Sequence, residues 1–291
     1  MKKPNPAELV INPDGSVYHL KLRPEQLAPT VLLVGDPGRV PSVSKYFDRI
    51  DYQGQNREIA THTGFIGPVR ITVMSTGMGT DNIDIVLNEL DALVNIDFET
   101  RAEKPEKQSL RLIRIGTTGS LHPYIPVNAF ILSGYGLGLD TLLNYYLAQG
   151  PAFRDDIAGA FIQQCEWPAE LGKPYVVSCN PGLAGLLAND TVSGITATAP
   201  GFYGPQGRRL RLPIAIPGLN ERLMGFDYMG LKITNLEMET SALYGLSALM
   251  GHQALTVCLA IANRATGQFS EDYKPHMDRL IRLVLEKVSN R

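Results

Sequence analysis

The sequence predicts an α/β fold, with a single domain built on a mixed central β-sheet that is flanked by helices. Short runs of β-branched and aliphatic residues alternate with segments of helical periodicity. Several of these runs end in glycine-rich turns, which is typical of the strand ends at the binding edge of an α/β sheet. The chain has 291 residues and shows no internal repeat or linker, so we expect one domain over 1–291.

The predicted strands and helices follow from the apolar pattern. The strand candidates are 31–34, 69–74, 111–115, 127–133, 175–178, 195–199 and 254–262. Three apolar stripes predict helices that pack on the core. The stripes are Ile83, Val86, Leu87, Leu90 and Leu93; Ala242, Leu246 and Leu249; and Met277, Leu280, Ile281, Val284, Leu285 and Val288. Asp81 or Asn82 is the expected cap of the first helix, and the polar stretch 103–107 is a predicted surface loop.

Composition narrows the class of partner. Hydrophobic residues make up 44% and charged residues 19%, which is ordinary globular composition, and the net charge is −2. A protein that grips nucleic acid by its phosphates is usually basic, so we expect a small-molecule partner and no nucleic acid. The three scattered cysteines predict neither a disulfide framework nor a metal site. With no apolar run long enough for a membrane span and no apolar segment after the first residues, we expect a cytoplasmic protein.

Two glycine-rich segments are candidates for an anion site. Segment 35–39 (GDPGR) follows a strand, and its backbone N–H groups and the Arg39 guanidinium suit a phosphate, although a plain turn explains it equally well. It matches neither a Walker A motif nor a dinucleotide fingerprint. In segment 114–119 (RIGTTG), the period of two puts Arg114 and Ile115 on opposite sheet faces. Arg114 is therefore either part of a second anion site or a salt-bridged residue at a sheet edge.

A pair of carboxylates marks the junction of a strand and a helix. Glu237 and Glu239 are two residues apart in segment 235–240 (NLEMET). Carboxylates at such a place can accept hydrogen bonds from a sugar diol. They are also favoured by the helix dipole in a first helical turn, and the pattern leaves both readings open.

Segment 202–208 (FYGPQGR) indicates a particular base. Phe202 supplies an aromatic face, Gln206 an amide with one acceptor and two donors, and Arg208 donors only. A planar ring with an N–H between two carbonyls, such as uracil, satisfies that set. The alternative is a surface loop without a ligand.

Taken in order, these segments resemble the nucleoside phosphorylase family, which includes uridine phosphorylases and hexameric purine nucleoside phosphorylases. The matches span about 19–264 and are GDPGR at 35–39, STGMG at 75–79, RIGTTG at 114–119, EME at 237–239 and NR at 263–264. The resemblance implies that family's α/β/α fold, a pentosyltransferase activity and a role in nucleoside salvage.

The resemblance also implies a phosphate site. Gly35, Arg39, Arg114 and Thr117 match the family's phosphate ligands. Arg57 matches an arginine that a neighbouring subunit lends to the phosphate. We therefore expect a homodimer or a trimer of dimers, with the site shared across the interface.

A nucleoside site follows in the same way. Met238 and Glu239 match residues that hold the ribose, with Glu237 and Thr117 beside them. His19 matches the histidine that a neighbouring subunit lends to the ribose 5′-hydroxyl.

The segment with Phe202, Gln206 and Arg208 resembles the uracil-binding insertion of uridine phosphorylases. Purine-directed members carry an aspartate near 263–264, and no aspartate lies between 256 and 270. The resemblance therefore implies uridine phosphorolysis, with Arg114, Glu239, Gln206 and Arg208 as the catalytic residues. The alternatives are a phosphorylase of thymidine, deoxyuridine or a purine nucleoside, a hydrolytic nucleosidase, and a non-catalytic nucleoside-binding homologue.

We expect no cofactor and no metal, and inorganic phosphate as the co-substrate. The positions that match the family's interfacial potassium site are Glu58, Met78 and Asn82. The family has a serine where Asn82 stands, which argues against potassium binding.

Overall fold

A large mixed sheet forms the centre of the protein. The computed structural model describes residues 3–289. The strands are β1 (Thr30–Val34), β2 (Arg49–Asn56), β3 (Ile59–Ile66), β4 (Val69–Ser75), β5 (Ile96–Asp97), β6 (Ala102–Glu103), β7 (Arg111–Ser120), β8 (Phe130–Gly138), β9 (Tyr175–Ser178), β10 (Val192–Thr198), β11 (Asp227–Tyr228), β12 (Leu231–Glu237), β13 (Gln253–Asn263) and β14 (Gln268–Phe269). The helices are α1 (Arg39–Ser44), α2 (Thr80–Asn95), α3 (Asp155–Gln164), α4 (Pro181–Leu187), α5 (Leu219–Gly225), α6 (Thr240–Met250) and α7 (Lys274–Ser289).

The sheet combines parallel and antiparallel strands and partly closes on itself. Its order is β11-β12-β10-β8-β13-β7-β1-β4-β3-β2. Strands β4, β1, β7 and β13 run parallel to one another, as do β8, β10 and β12, while β13 meets β8 antiparallel. Strand β12 also pairs antiparallel with β7, so β7, β13, β8, β10 and β12 make a closed ring. The predicted mixed sheet is confirmed.

Helices cover both faces of the sheet, which the alternation in β1 shows directly. Val31 and Leu33 pack in one core with residues of α2 and α6. Leu32 and Val34 pack in another core with residues of α1 and α7. Successive strand residues point to opposite faces, and both faces of this strand are buried. The predicted arrangement of helices flanking a central sheet is therefore confirmed, including the apolar stripes of α2 and α7.

Strand β7 differs from its prediction in a way that shapes the site. It was expected to end at residue 115 in a glycine turn, but it continues to Ser120. The glycines remain in the ladder because β13 pairs with them, with Cys258 opposite Gly116 and Ala262 opposite Gly119. A Cβ on Gly116 would lie 2.3 Å from Nη1 of Arg114. Glycine at this position therefore makes room for the arginine two residues earlier and does not mark a turn.

The expected cap of α2 is wrong as well. The helix begins at Thr80, and neither Asp81 nor Asn82 caps it with a side chain. Gly79 precedes the helix with φ +95°, a conformation that favours glycine. This conformation directs the Gly79 N–H to the carboxylate of Glu239, 2.8 Å away.

Other elements gave no clear apolar signal. The sequence does not predict the hairpin of β2 and β3, because β2 is largely exposed and rich in polar residues. Residues 103–107 are mostly exposed, as the predicted surface loop requires. Between residues 3 and 289, no helix is long and apolar enough to cross a membrane.

Candidate active site

One cavity of about 490 Å³ lies where segment 35–39, β7, segment 202–208 and the end of β12 meet. It gathers every predicted site residue except His19 and Arg57. The predicted residues that line it are Gly35, Arg39, Arg114, Thr117, Phe202, Gln206, Arg208, Glu237, Met238 and Glu239. Residues far apart in the sequence therefore meet at one place, as the resemblance implied.

Arg114 lies at the floor of the cavity and is 4% exposed. Its guanidinium forms ion pairs with Glu239 and, at 3.2 Å, with Glu237. Nη1 also donates to Sγ of Cys258 at 3.4 Å. Burial would lower the pKa of Arg114, but the two carboxylates outweigh burial and raise the pKa above its usual value. Arg114 therefore keeps its charge at any ordinary pH. The sheet-edge alternative is right that Arg114 is salt-bridged, but β7 lies between β13 and β1 and not at an edge of the sheet.

The two glutamates have different surroundings. Glu237 accepts hydrogen bonds from the backbone N–H groups of Glu239 and Thr240 and from the Thr198 hydroxyl, at 2.7–3.1 Å. It therefore holds the first turn of α6, where the helix dipole favours a negative charge. Among residues 3–289, the Glu239 carboxylate accepts hydrogen bonds from the Gly79 N–H and from Arg114. Burial raises the pKa of Glu239, the nearby Glu237 charge adds to this, and Arg114 opposes it.

A positive corner lies beside this cluster. Arg39 is half-buried at the start of α1 and donates to the Ile115 carbonyl at 3.3 Å. Burial and the neighbouring Arg114 charge lower the pKa of Arg39. Among residues 3–289 Arg39 has no carboxylate partner within salt-bridge distance, so its charge is available to a ligand. Gly35 and Thr117 line the same corner.

Segment 202–208 forms the opposite wall. It contains a short 3₁₀ turn, Gly204–Gln206, that ends at Gly207 with φ +68°. Gln206 is 3% exposed, and its Oε1 accepts a hydrogen bond from Nη1 of Arg208. The Arg208 guanidinium also stacks on the Phe202 ring, 3.8 Å from its centroid. Burial, together with the charge of Arg264, lowers the pKa of Arg208 to about 10, so Arg208 stays charged at neutral pH.

His19 and Arg57 lie outside the cavity. His19 is in the N-terminal segment, and Arg57 occupies the exposed turn between β2 and β3 with φ +53°. The two segments that carry them are in contact. Nδ2 of Asn56 donates to the His19 carbonyl at 2.8 Å, and the Arg57 guanidinium lies 5.8 Å from the Tyr18 ring centroid. Within a single copy of the chain, neither side chain lines the cavity.

Three contacts at the site were not predicted. The Gly79 N–H donates to Glu239, and Arg114 donates to the thiol sulfur of Cys258. Nη2 of Arg264 donates to the Gln206 carbonyl at 2.9 Å. Arg264 belonged to a matching motif but had no assigned role. Burial raises the pKa of the Cys258 thiol to about 12, so it remains protonated. The position of Cys258 on β13 gave no signal of its own.

Two of the three positions that match a potassium site hydrogen-bond to each other. Glu58 and Met78 line the cavity, and Nδ2 of Asn82 donates to the Met78 carbonyl at 3.2 Å. That carbonyl is therefore engaged by an amide.

A larger cavity of about 640 Å³ lies behind segment 202–208. Its lining is apolar except for Tyr203, Arg208 and Arg211 and the indole N–H of Trp167, and Arg208 is the only predicted site residue that lines it. Arg39, Arg114 and the two glutamates line the smaller cavity.

Comparison with known proteins identifies the family of the chain. The family model described as the phosphorylase superfamily matches residues 29–288. A uridine phosphorylase of Thermococcus kodakarensis is 32% identical over 266 residues, which cover 89% of this chain and 81% of the relative. A DeoD-type purine nucleoside phosphorylase of Caldanaerobacter subterraneus is 25% identical over 272 residues, 92% of this chain and 98% of that protein.

A solved structure is also similar over nearly the whole chain. It is a nucleoside phosphorylase of Trypanosoma brucei, described as showing uridine phosphorylase activity. The two chains superpose with a TM-score of 0.89 at 30% identity, covering 97% of this chain and 100% of the other. The protein therefore belongs to the phosphorylase superfamily, among the nucleoside phosphorylases, and is a pentosyltransferase.

Proposed function

We propose that this enzyme is a uridine phosphorylase that converts uridine and phosphate reversibly to uracil and ribose 1-phosphate in pyrimidine nucleoside salvage. The observation that carries the proposal is the meeting of Gln206 and Arg208 with Arg39, Arg114 and Glu239 in one cavity. Supporting this are the similarity to the Thermococcus kodakarensis uridine phosphorylase and to the Trypanosoma brucei structure.

Phosphate binds in the positive corner. Arg39 and Arg114 supply guanidinium donors, and Gly35 and Thr117 lie beside them. Arg57 is exposed and does not line the cavity of its own chain, so we assign it to the phosphate of a second copy. The working enzyme is accordingly a dimer or a larger assembly of dimers in the cytoplasm.

Ribose binds over Met238 and Glu239. The Glu239 carboxylate has free acceptor capacity beyond the Gly79 N–H and Arg114, and a sugar diol donates to such a group. Glu237 fixes the turn that presents Glu239, so it contributes by placing its neighbour. His19 of a second copy reaches the 5′-hydroxyl.

Uracil binds at segment 202–208. The Gln206 amide pairs with N3–H and O2, and Arg208 donates to O4. For this, Arg208 exchanges its contact with Gln206 for the base, whose face lies against Phe202. Purine members of the family use an aspartate to protonate the leaving base, whereas 256–270 contains none.

The reaction forms one C–O bond and breaks one C–N bond. As the C1′–N1 bond lengthens, its electron pair passes into the uracil ring, and the ribose gains oxocarbenium character. A phosphate oxygen then bonds to C1′. The arginines hold phosphate beside C1′, and Arg208 stabilises the negative charge on O4, so the base departs as an anion and takes a proton from the medium. No cofactor is required.

A substrate panel tests the proposal. Uridine, thymidine and inosine are incubated separately with and without phosphate, and the released base is quantified. We expect phosphate-dependent release of uracil from uridine that exceeds release of hypoxanthine from inosine. Gln206→Ala, measured beside the wild type, should lose this preference. A faster reaction with inosine would reject the base assignment.

A further inference from the structure

Glu89 makes an unusual set of contacts with the N-terminal segment. It lies on α2 and is 9% exposed. Its carboxylate accepts the backbone N–H of His19 at 2.9–3.0 Å and that of Leu20 at 2.8 Å. The same carboxylate lies 2.6 Å from Nδ1 of His19. One buried carboxylate thus fixes both the backbone and the ring of the histidine.

This contact determines which nitrogen of His19 faces outward. A carboxylate only accepts hydrogen bonds, so Nδ1 carries the hydrogen that points at Glu89. Nε2 is then the nitrogen available to a ligand, and it has no hydrogen-bond partner among residues 3–289. The His19 side chain is 32% exposed, which leaves this edge accessible.

A second contact fixes the segment from the other side. Nδ2 of Asn56 donates to the carbonyls of His19 and Tyr18, at 2.8 and 3.4 Å. The Tyr18 ring packs edge-on against the imidazole, with 4.8 Å between centroids. With its backbone held at both ends and its ring held at Nδ1, His19 loses little conformational freedom when it meets a ligand.

We propose that Glu89 is a positioning residue for the nucleoside: it orients His19 so that Nε2 accepts a hydrogen bond from the ribose 5′-hydroxyl of a nucleoside bound in a second copy. This inference rests on the proposed function. Glu89 never touches the substrate. It affects recognition of the 5′-hydroxyl and of no other part of the nucleoside.

Comparing uridine with 5′-deoxyuridine tests this content. For wild type, Glu89→Ala, His19→Ala and the double variant, kcat/KM is measured on both substrates in the same preparation. The ratio of the two values does not depend on the amount of folded enzyme, so partial misfolding of a variant does not obscure the result. Asn88→Ala is the matched control, because Asn88 is the neighbouring α2 residue and, in the described part of the chain, its side-chain amide donates only to Asp84 and Tyr146.

We expect Glu89→Ala to lower kcat/KM for uridine about tenfold and to leave 5′-deoxyuridine nearly unchanged, since one substrate hydrogen bond is lost. His19→Ala should give the same change, and the double variant no further loss, because both act through one contact. Asn88→Ala should keep the wild-type ratio.

Two results would overturn the inference. An equal loss on both substrates would make Glu89 a structural residue only. If the wild type cleaves both substrates equally well, the 5′-hydroxyl contact does not exist, although uridine phosphorolysis still stands. Absence of any uridine cleavage would instead reject the proposed function, and this inference with it.

Discussion

Replacing Arg114 with methionine removes the only guanidinium that pairs with Glu237 and Glu239 among residues 3–289. The Arg114 side chain is 5% exposed, and those of the glutamates are 2% and 5% exposed. Removing one partner of a buried ion pair costs about 3–5 kcal/mol of unfolding free energy, because the remaining charge stays buried and unpaired. For a chain of 291 residues, this corresponds to a fall in Tm of about 5–8 °C.

The loss should depend on pH with a definite sign. Burial has already raised the pKa of Glu239 in the folded state, and removal of Arg114 raises it further. A carboxyl group with a raised folded-state pKa contributes stability below its unfolded pKa and loses it as the pH rises through the folded value. We therefore expect the difference between wild type and Arg114→Met to be smaller at pH 5 than at pH 8.

Urea unfolding provides the assay. Trp167, which packs against Phe161 with 5.5 Å between ring centroids, is the only tryptophan and gives a fluorescence signal. Arg154→Met is the matched control, because Arg154 pairs with Asp156 at 2.6 Å on the surface, where such pairs contribute little. If Arg114→Met unfolds at the same urea concentration as Arg154→Met, the account of the buried cluster is refuted.

Three further predictions concern the site and the fold. Arg208→Ala should lower kcat/KM for uridine about 100-fold in steady-state assays, as loss of a transition-state donor does, and near-wild-type activity would remove its assigned role. Arg39→Ala should raise the KM for phosphate far more than the KM for uridine, and the reverse order would move the phosphate elsewhere. Gly136→Ala should cost about 1–3 kcal/mol in chemical unfolding, because its Cβ would lie 2.9 Å from the backbone of Ser241. Gly185→Ala, with open space at its Cβ within a helix, should be neutral or stabilising by about 0.5–1 kcal/mol; equal losses in both variants would contradict the packing argument.

The sequence predicts the sheet well where strands are buried on both faces. In β1, four consecutive aliphatic residues leave little choice of structure. Strand β7 shows the limit of such reasoning. Its glycines carry no side chain that would reveal a strand, and they are held in the ladder by β13 and, at Gly119, also by β12. Gly116 makes room for the Arg114 side chain. This role could not be predicted, because the local sequence does not show where that side chain runs.

The site was predictable in its composition but not in its internal contacts. The ordered motifs identified Arg39, Arg114 and Glu239 together, and the structure brings them into one cavity. The ion pairs of Arg114 depend on the antiparallel pairing of β12 with β7. Residues 121–230 separate these two strands, and no periodicity in the sequence indicates that they pair. His19 and Arg57 do not line the cavity of their own chain, and the proposed role for them requires a second copy, which a single folded chain does not display.

The central claim is that this enzyme cleaves uridine with phosphate. The most direct measurement is phosphorus NMR of uridine and phosphate incubated with the enzyme, alongside base quantification. A uridine phosphorylase produces ribose 1-phosphate and uracil in equal amounts and cleaves no uridine when phosphate is omitted. Free ribose released without phosphate, or no conversion of uridine under conditions where inosine is cleaved, would contradict the central claim.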